Sequence, residues 1–143
     1  AGKVSLLGAD GLRLPFPDRC FDSVTMAFGI RNIPAPQAAL KEMFRVLVPG
    51  GRAVILELTF PGWSIIRRAY DLYLNRLIPR LGGMISGQTM AYQYLADSIM
   101  DFPSPEKFLN IMAQAGFHRA EFLKLTFGVA ALHWGERPGP AEL

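Results

Sequence analysis

Residues 14–32, LPFPDRCFDSVTMAFGIRN, and residues 45–59, RVLVPGGRAVILELT, decide the fold. They read as strand, helix and strand in α/β order, with polar residues only where strands end. Residues 14–20 hold two prolines and form a loop, and residues 21–28 are the first strand of the pair. Residues 29–36 are a loop at its exit. Leu40, Met43, Phe44 and Leu47 then recur at helical spacing, with Pro36 suited to the first turn. Pro49-Gly50-Gly51 stops that helix. Residues 53–58 are mostly apolar on both faces, as a central parallel strand requires.

Working outward, residues 4–9 are a short apolar run ending at Asp10-Gly11 and read as a buried strand with its exit. Residues 63–81 form a long or broken amphipathic helix that ends at Pro79 and Gly82-Gly83. Residues 92–100 form another helix. Ser104-Pro105-Glu106 is a helix start: a cap, a proline, then an acid in the first turn. Phe108, Ile111, Met112 and Ala115 supply that helix's inner face, and Gly116 ends it. Residues 120–126 and 129–135 are a closing antiparallel pair around Gly128. The residues from Arg137 onward read as frayed. The sum is the second half of a doubly wound α/β domain, in which ligands bind at the carboxyl ends of the strands.

The chain has 143 residues, enough for one domain. Half are apolar, charged residues are 19%, below the usual quarter, and the mean hydropathy is +0.20. Surplus apolar surface of this kind indicates a greasy substrate, a partner, or a missing piece of fold. The net charge of +3 is too mild and dispersed for nucleic acid. Cys20 is the single cysteine, which excludes an intrachain disulfide or a cysteine-based metal site and suits a reducing cytoplasm. No apolar run is long enough to span a bilayer, and the first residues lack the form of a signal peptide.

The rule of carboxyl ends selects the candidate residues. Asp10 can accept a hydrogen bond from an exocyclic amine, or simply form the turn before Gly11. Asp18 and Asp22 read as structural. In Gly29-Ile30-Arg31-Asn32, the glycine permits close backbone approach, and Arg31 offers five donors and a permanent charge to a developing oxyanion. Asn32 adds a donor or holds a carbonyl. The alternative is a capped loop covered by a surface arginine. Glu57 is the one charge inside the strand RAVILELT; it caps the next segment or faces a pocket. Trp63, Tyr70, Tyr73, Tyr92 and Tyr94, interspersed with Arg67, Arg68, Arg76 and Arg80, form either a lid over an aromatic ring and its tail or an ordinary amphipathic pair. The basic face could rest on anionic lipid. His118 and His133 have no ligand-like neighbours, and His133 reads as a satisfied core group.

The stretches ADGLRLPFPDRCFDSV, FGIRN, RVLVPGGRAVILE, AYDLYLNRLIPRLG, AYQYLADSI, AGF and GVAALHWG resemble the ubiquinone/menaquinone biosynthesis C-methyltransferase family. The LPFPD loop and PGG turn are shared by many class I methyltransferases. FGIRN with YQYLADSI and the histidine-containing ending is far more specific. The resemblance implies a class I, Rossmann-like sheet of order 3-2-1-4-5-7-6, of which this chain supplies strands 3, 4 and 5 and the hairpin 6/7. It implies S-adenosyl-L-methionine as cofactor and C-methylation of a polyprenylated quinol ring, demethylmenaquinol or a benzoquinol intermediate. It places Asp10 and Gly11 at the adenine side, and Ala27, Phe28 and Gly29 beside the cofactor. Arg31 and Asn32 face the reacting quinol. Tyr70, Tyr92, Tyr94 and Glu57 fall on the substrate side. Residues 63–102 form a substrate-covering segment within one partial domain, 1–143. Ala27 stands where the family often has serine, Val48 where it has lysine, and Thr59 where it has serine.

In the implied chemistry, loss of the quinol proton pushes charge to the adjacent ring carbon, which attacks a sulfonium methyl; Arg31 stabilises the phenolate and no metal is needed. Only thirteen residues precede Leu14, so the family's glycine-rich cofactor loop is expected to lie outside this chain, which alone should bind cofactor negligibly and self-associate through an open strand edge. The expected partners are a lipid quinol, the N-terminal half or a partner chain, a second copy, and the inner face of a bacterial membrane. A related small-molecule methyltransferase and a non-catalytic scaffold stay open as alternatives.

Overall fold

A computed structural model describes residues 4–62, 64–77 and 89–139. Strand β1 (Phe21–Ala27), a 3-10 turn (Ile30–Asn32), helix α1 (Pro36–Val46) and strand β2 (Leu47–Leu58) come first. Helix α2 (Ser64–Leu72) runs into a π turn (Tyr73–Leu77), so the expected long helix is a broken one. Helices α3 (Thr89–Asp101) and α4 (Pro105–Gln114) follow, then strands β3 (His118–Leu125) and β4 (Ala130–Glu136) around a 3-10 turn (Thr126–Gly128). Trp63, Pro79, Arg80 and Gly82-Gly83 lie outside the described residues.

The sheet order is β1-β2-β4-β3, with β1 parallel to β2 and the other two pairings antiparallel. This is the 4-5-7-6 portion of the class I methyltransferase order. Pro36 occupies the first turn of α1, and Ala39, Leu40, Met43 and Val46 are its buried stripe. Ser104 caps α4, its hydroxyl accepting from Lys107 N at 3.4 Å. The α1 and α4 stripes pack on Leu47, Ala53 and Ile55 of β2 to make the main core, which also includes Ile30, Phe108, Met112 and Phe117. The opposite sheet row, Ala27, Leu56, Leu132 and Leu123, is exposed or only half-buried. Part of the surplus apolar surface expected from composition lies there, and more lies on Val4, Leu6, Leu7, Met90 and Phe127, which are all exposed. Among the described residues no helix is long and apolar enough to cross a membrane.

Pro49-Gly50-Gly51 does not stop α1 as the sequence suggested: α1 ends at Val46, and Leu47, expected on its stripe, is already in β2. Strand β2 begins at Leu47, and the β1–β2 ladder jumps from Phe21–Leu47 to Ser23–Arg52, so Pro49-Gly50-Gly51 is a bulge inside the strand. Gly50 has φ +81, and a Cβ on Gly51 would sit 2.9 Å from Val48 O and 3.0 Å from Asp22 O. No other residue fits there.

Two further sequence expectations are corrected. Residues 4–9 are not a strand: they are irregular, with Leu6 97% exposed, and Asp10 pairs locally with Arg13 instead. A strand's backbone groups need a neighbour, and the outer edge of β1 pairs with nothing among the described residues. Arg137 is not frayed. Its Nη1 donates to the carbonyls of Phe44, Arg45 and Leu47 at 2.7, 3.1 and 3.0 Å, completing the carboxyl end of α1, and its guanidinium lies 4.6 Å over the Phe44 ring. Arg45 fixes the LPFPD loop in the same way, donating to Asp18 (2.7 Å), Glu42 (2.9 Å) and the carbonyls of Phe16 (2.9 Å) and Leu14 (3.0 Å). Asp18 is structural, as its sequence position indicated.

His133 is buried between Phe108 (4.8 Å) and Phe122 (5.9 Å), and among the described residues neither ring nitrogen has a hydrogen-bond partner. It is a core group, but not a satisfied one. Burial pulls its pKa from 6.5 down to about 4. The folded state thus binds this proton less well than the unfolded chain. The stability it contributes is complete above pH 6.5 and falls as pH drops towards about 4. Denaturant midpoints measured across this range should fall more steeply for the natural chain than for His133→Leu; equal slopes would refute the assignment.

Candidate functional site

The site is built where β1 and β2 end. Phe28 follows β1, keeps the ladder with its N–H donating to Leu56 O at 2.8 Å, and turns the chain with φ +54. A left-handed bulky residue is costly and collects at functional turns. Gly29, where the sequence placed the freedom, has φ −119 and begins the 3-10 turn of Ile30, Arg31 and Asn32. Ile30 is fully buried in the main core, which anchors the turn.

Arg31 then meets Glu57, one residue before the end of β2. Arg31 Nη1 is ion-paired with Glu57 Oε1, and the side chains are 10% and 0% exposed. Glu57 Oε2 accepts from Arg31 N at 3.3 Å and Oε1 from Leu58 N at 2.9 Å. Glu57 therefore contacts the arginine and its own strand rather than open space, and the substrate-side position expected of it is not what surrounds it. Nη1 also donates to Phe28 O at 3.2 Å, and Nε donates to Ser98 Oγ at 3.4 Å. That uses three of the five guanidinium donors. The two on Nη2 have no partner among the described residues.

Asn32 Nδ2 donates to Phe28 O at 3.5 Å, and its Oδ1 accepts from Tyr94 O–H at 3.0 Å. Arg31, Tyr94 and Ser98 line a cleft of about 440 Å³ whose other walls include Ile30, Ile33 and Phe102. Tyr70 is half-buried on α2, tilted against Phe60 (5.9 Å) and stacked on Tyr73 (6.3 Å). Burial raises its pKa, Tyr73 adds to this, and the nearby charge of Arg31 opposes it, so Tyr70 shares the arginine's field. Tyr92 lies on α3; its side chain is outside the description.

Asp10 Oδ1 accepts from Leu12 N at 2.9 Å, closing the turn that the plainer reading proposed. A Cβ on Gly11 would come 3.5 Å from Ile33 Cδ1, so this turn lies against the Ile30–Asn32 segment. Ala27 is exposed at the end of β1, and Phe28 is 46% exposed. The structure thus gathers Asp10, Gly11, residues 27–32, Glu57 and Tyr94 at one sheet edge. Ser98 was missed. Its signal was its place in YQYLADSI, four residues and one helical turn beyond Tyr94.

Residues 1–137 match the ubiE/COQ5 methyltransferase family. The chain belongs to that family. It is 50% identical over 136 residues to the demethylmenaquinone methyltransferase of Thermus thermophilus, covering 95% of this chain and 61% of that protein. To the ubiquinone/menaquinone biosynthesis C-methyltransferase of Geobacter sulfurreducens it is 47% identical over 137 residues, covering 96% and 53%. The ubiE/COQ5 chain therefore spans a little over half the length of these curated relatives. Its fold is similar to that of a crystal structure of a SAM-dependent methyltransferase, possible histamine N-methyltransferase, from Thermotoga maritima, with TM-score 0.62 and 19% identity over 92% of this chain and 62% of that one.

Removing Glu57 leaves a buried, uncompensated guanidinium. Glu57→Ala should destabilise the chain by about 3–5 kcal/mol, whereas Arg31→Met combined with Glu57→Leu should lose much less. Urea unfolding of the three proteins decides this; a Glu57→Ala loss of under about 1 kcal/mol would match an exposed pair and contradict the buried one.

Proposed function

We propose that this chain forms the quinol-side part of an S-adenosylmethionine-dependent C-methyltransferase, which methylates the ring of a polyprenylated quinol in menaquinone or ubiquinone biosynthesis. The observation that carries this reading is the unpartnered Nη2 arm of Arg31 beside Asn32 and Tyr94, on a chain of this family. A ring carbon becomes nucleophilic when its neighbouring hydroxyl loses a proton. A charged N–H donor on Nη2 suits the resulting phenolate oxygen. Arg31 is too basic to take that proton itself; it holds the oxygen, or a water that accepts the proton. Asn32, tied by Tyr94, adds a polar contact to the ring.

The residues present fit the cofactor in part. Asp10 keeps one carboxylate oxygen without a partner among the described residues, in a turn packed beside Ile33, and this oxygen suits the exocyclic amine of an adenine. The exposed backbone of Ala27, Phe28 and Gly29 would lie alongside it. A glycine-rich loop for the amino-acid and ribose end is not among these 143 residues. When bound, S-adenosylmethionine supplies a methyl group on a sulfonium. Residues 63–102, which include Tyr70, Tyr92 and Tyr94, cover the substrate in this proposal. The exposed Arg67, Arg68 and Arg76 can meet anionic lipid on the cytoplasmic face of a bacterial membrane.

The test is a hybrid in which this chain replaces the matching 136-residue segment of the Thermus thermophilus relative. Produced in a bacterium lacking its own enzyme, it should convert the demethylated quinone pool, read by mass spectrometry; an unchanged pool contradicts the proposal. Arg31→Lys in that hybrid keeps charge but loses the planar fork, and turnover should fall roughly tenfold to a thousandfold. Cofactor affinity by calorimetry should barely move; its collapse with chemistry intact would reassign Arg31 to the cofactor.

A further inference from the structure

Helix α3 reaches the Ile30–Asn32 turn at two points. Tyr94 O–H donates to Asn32 Oδ1 at 3.0 Å, and Ser98 Oγ accepts from Arg31 Nε at 3.4 Å. Residues 94 and 98 stand one turn apart on one helix face, and residues 31 and 32 are adjacent in the turn. The two contacts are therefore in register. Ser98 is set up to accept: its own proton goes to Leu95 O at 2.9 Å, which leaves an oxygen lone pair for the arginine.

The other side-chain contacts of Arg31, to Glu57 and to Phe28 O, both end on Nη1. Bonds that end on one atom fix where that atom lies. They leave the guanidinium plane able to swing about it. The Nε–Ser98 contact fixes a second atom, and with the covalent side-chain stem leading to Nε as the third point, the guanidinium plane and the direction of Nη2 are set. At 3.4 Å this bond is long, as catalytic hydrogen bonds often are before substrate is present.

We infer that Ser98 is a positioning residue for Arg31: the seat of α3 against the Ile30–Asn32 turn sets the guanidinium plane and so aims the Nη2 arm. The inference rests on the function proposed above for Arg31. It differs from it in placing the control on a residue that acts through Arg31 rather than on the reacting atoms.

The experiment uses the hybrid carrying the full chain, with Ser98→Ala and Ser98→Thr. Ser98→Ala should lower kcat roughly tenfold to a hundredfold, the range expected when a reacting group is misplaced, with KM for quinol and cofactor nearly unchanged. Ser98→Thr keeps the acceptor and should recover most of the loss. The second readout is water exchange of the Arg31 Nε–H by nitrogen-15 NMR in the folded hybrid without substrate. It should be slow in the parent and Ser98→Thr, and faster in Ser98→Ala. An unaltered kcat in Ser98→Ala, or a loss that Ser98→Thr shares in full, would overturn the inference. If the parent hybrid transfers no methyl group, the functional reading fails; the exchange measurement then decides alone, and equal exchange in parent and Ser98→Ala would overturn the latch.

Discussion

A charge that folding removes from water must find a partner, and in this chain that requirement fixes the site. Arg31 and Glu57 come from elements 26 residues apart, and both side chains are buried. Neither would be tolerated alone in that position. The pair therefore locks the turn after β1 to the end of β2. Phe28 is forced into a left-handed conformation, which brings its carbonyl to the guanidinium. One arm of the arginine is consumed by this work, and the other is left over. In the proposed function, structural and chemical roles are divided between two nitrogens of one side chain.

The scaffold behind that pair is held by two further arginines. Arg45 gathers the LPFPD loop, and Arg137 closes the end of α1 from the far end of the sheet. Each satisfies backbone carbonyls that a helix end or a proline-rich loop cannot satisfy for itself. With Ile30 sunk in the main core, the turn that carries Arg31 sits on a rigid base. A second, smaller cluster, Ala96 and Ile99 of α3 against Leu58, Phe60 and Tyr70, ties α3 to the end of β2.

The fold was legible where one physical signal sufficed. Pro36, Ser104 and Pro105 mark helix starts by their own chemistry, and the apolar run ending in Glu57 could only be a central strand. Reading failed where a partner decides the outcome. Residues 4–9 have a strand's composition, but without a neighbour on that side of β1 their backbone stays irregular and Leu6 stays exposed. Arg137 looked like a tail because nothing local shows that three carbonyls await it. The site was legible in type but not in wiring. FGIRN pointed to Arg31, yet that Glu57 would be spent on the arginine, and that Ser98 would meet its Nε, depend on distances across 26 and 67 residues. Burial of Glu57 was the one clue to its partner: a charge inside a strand has to be answered from somewhere.

The central claim is that the spare arm of Arg31 stabilises an oxyanion at the carboxyl ends of β1 and β2. The most direct measurement is the ultraviolet absorbance of a naphthol bound to the hybrid enzyme, followed against pH. The bound naphthol should ionise at a lower pH than the free compound, and Arg31→Met should abolish the difference without abolishing binding. A bound naphthol that ionises at the same pH with or without the arginine would contradict the account.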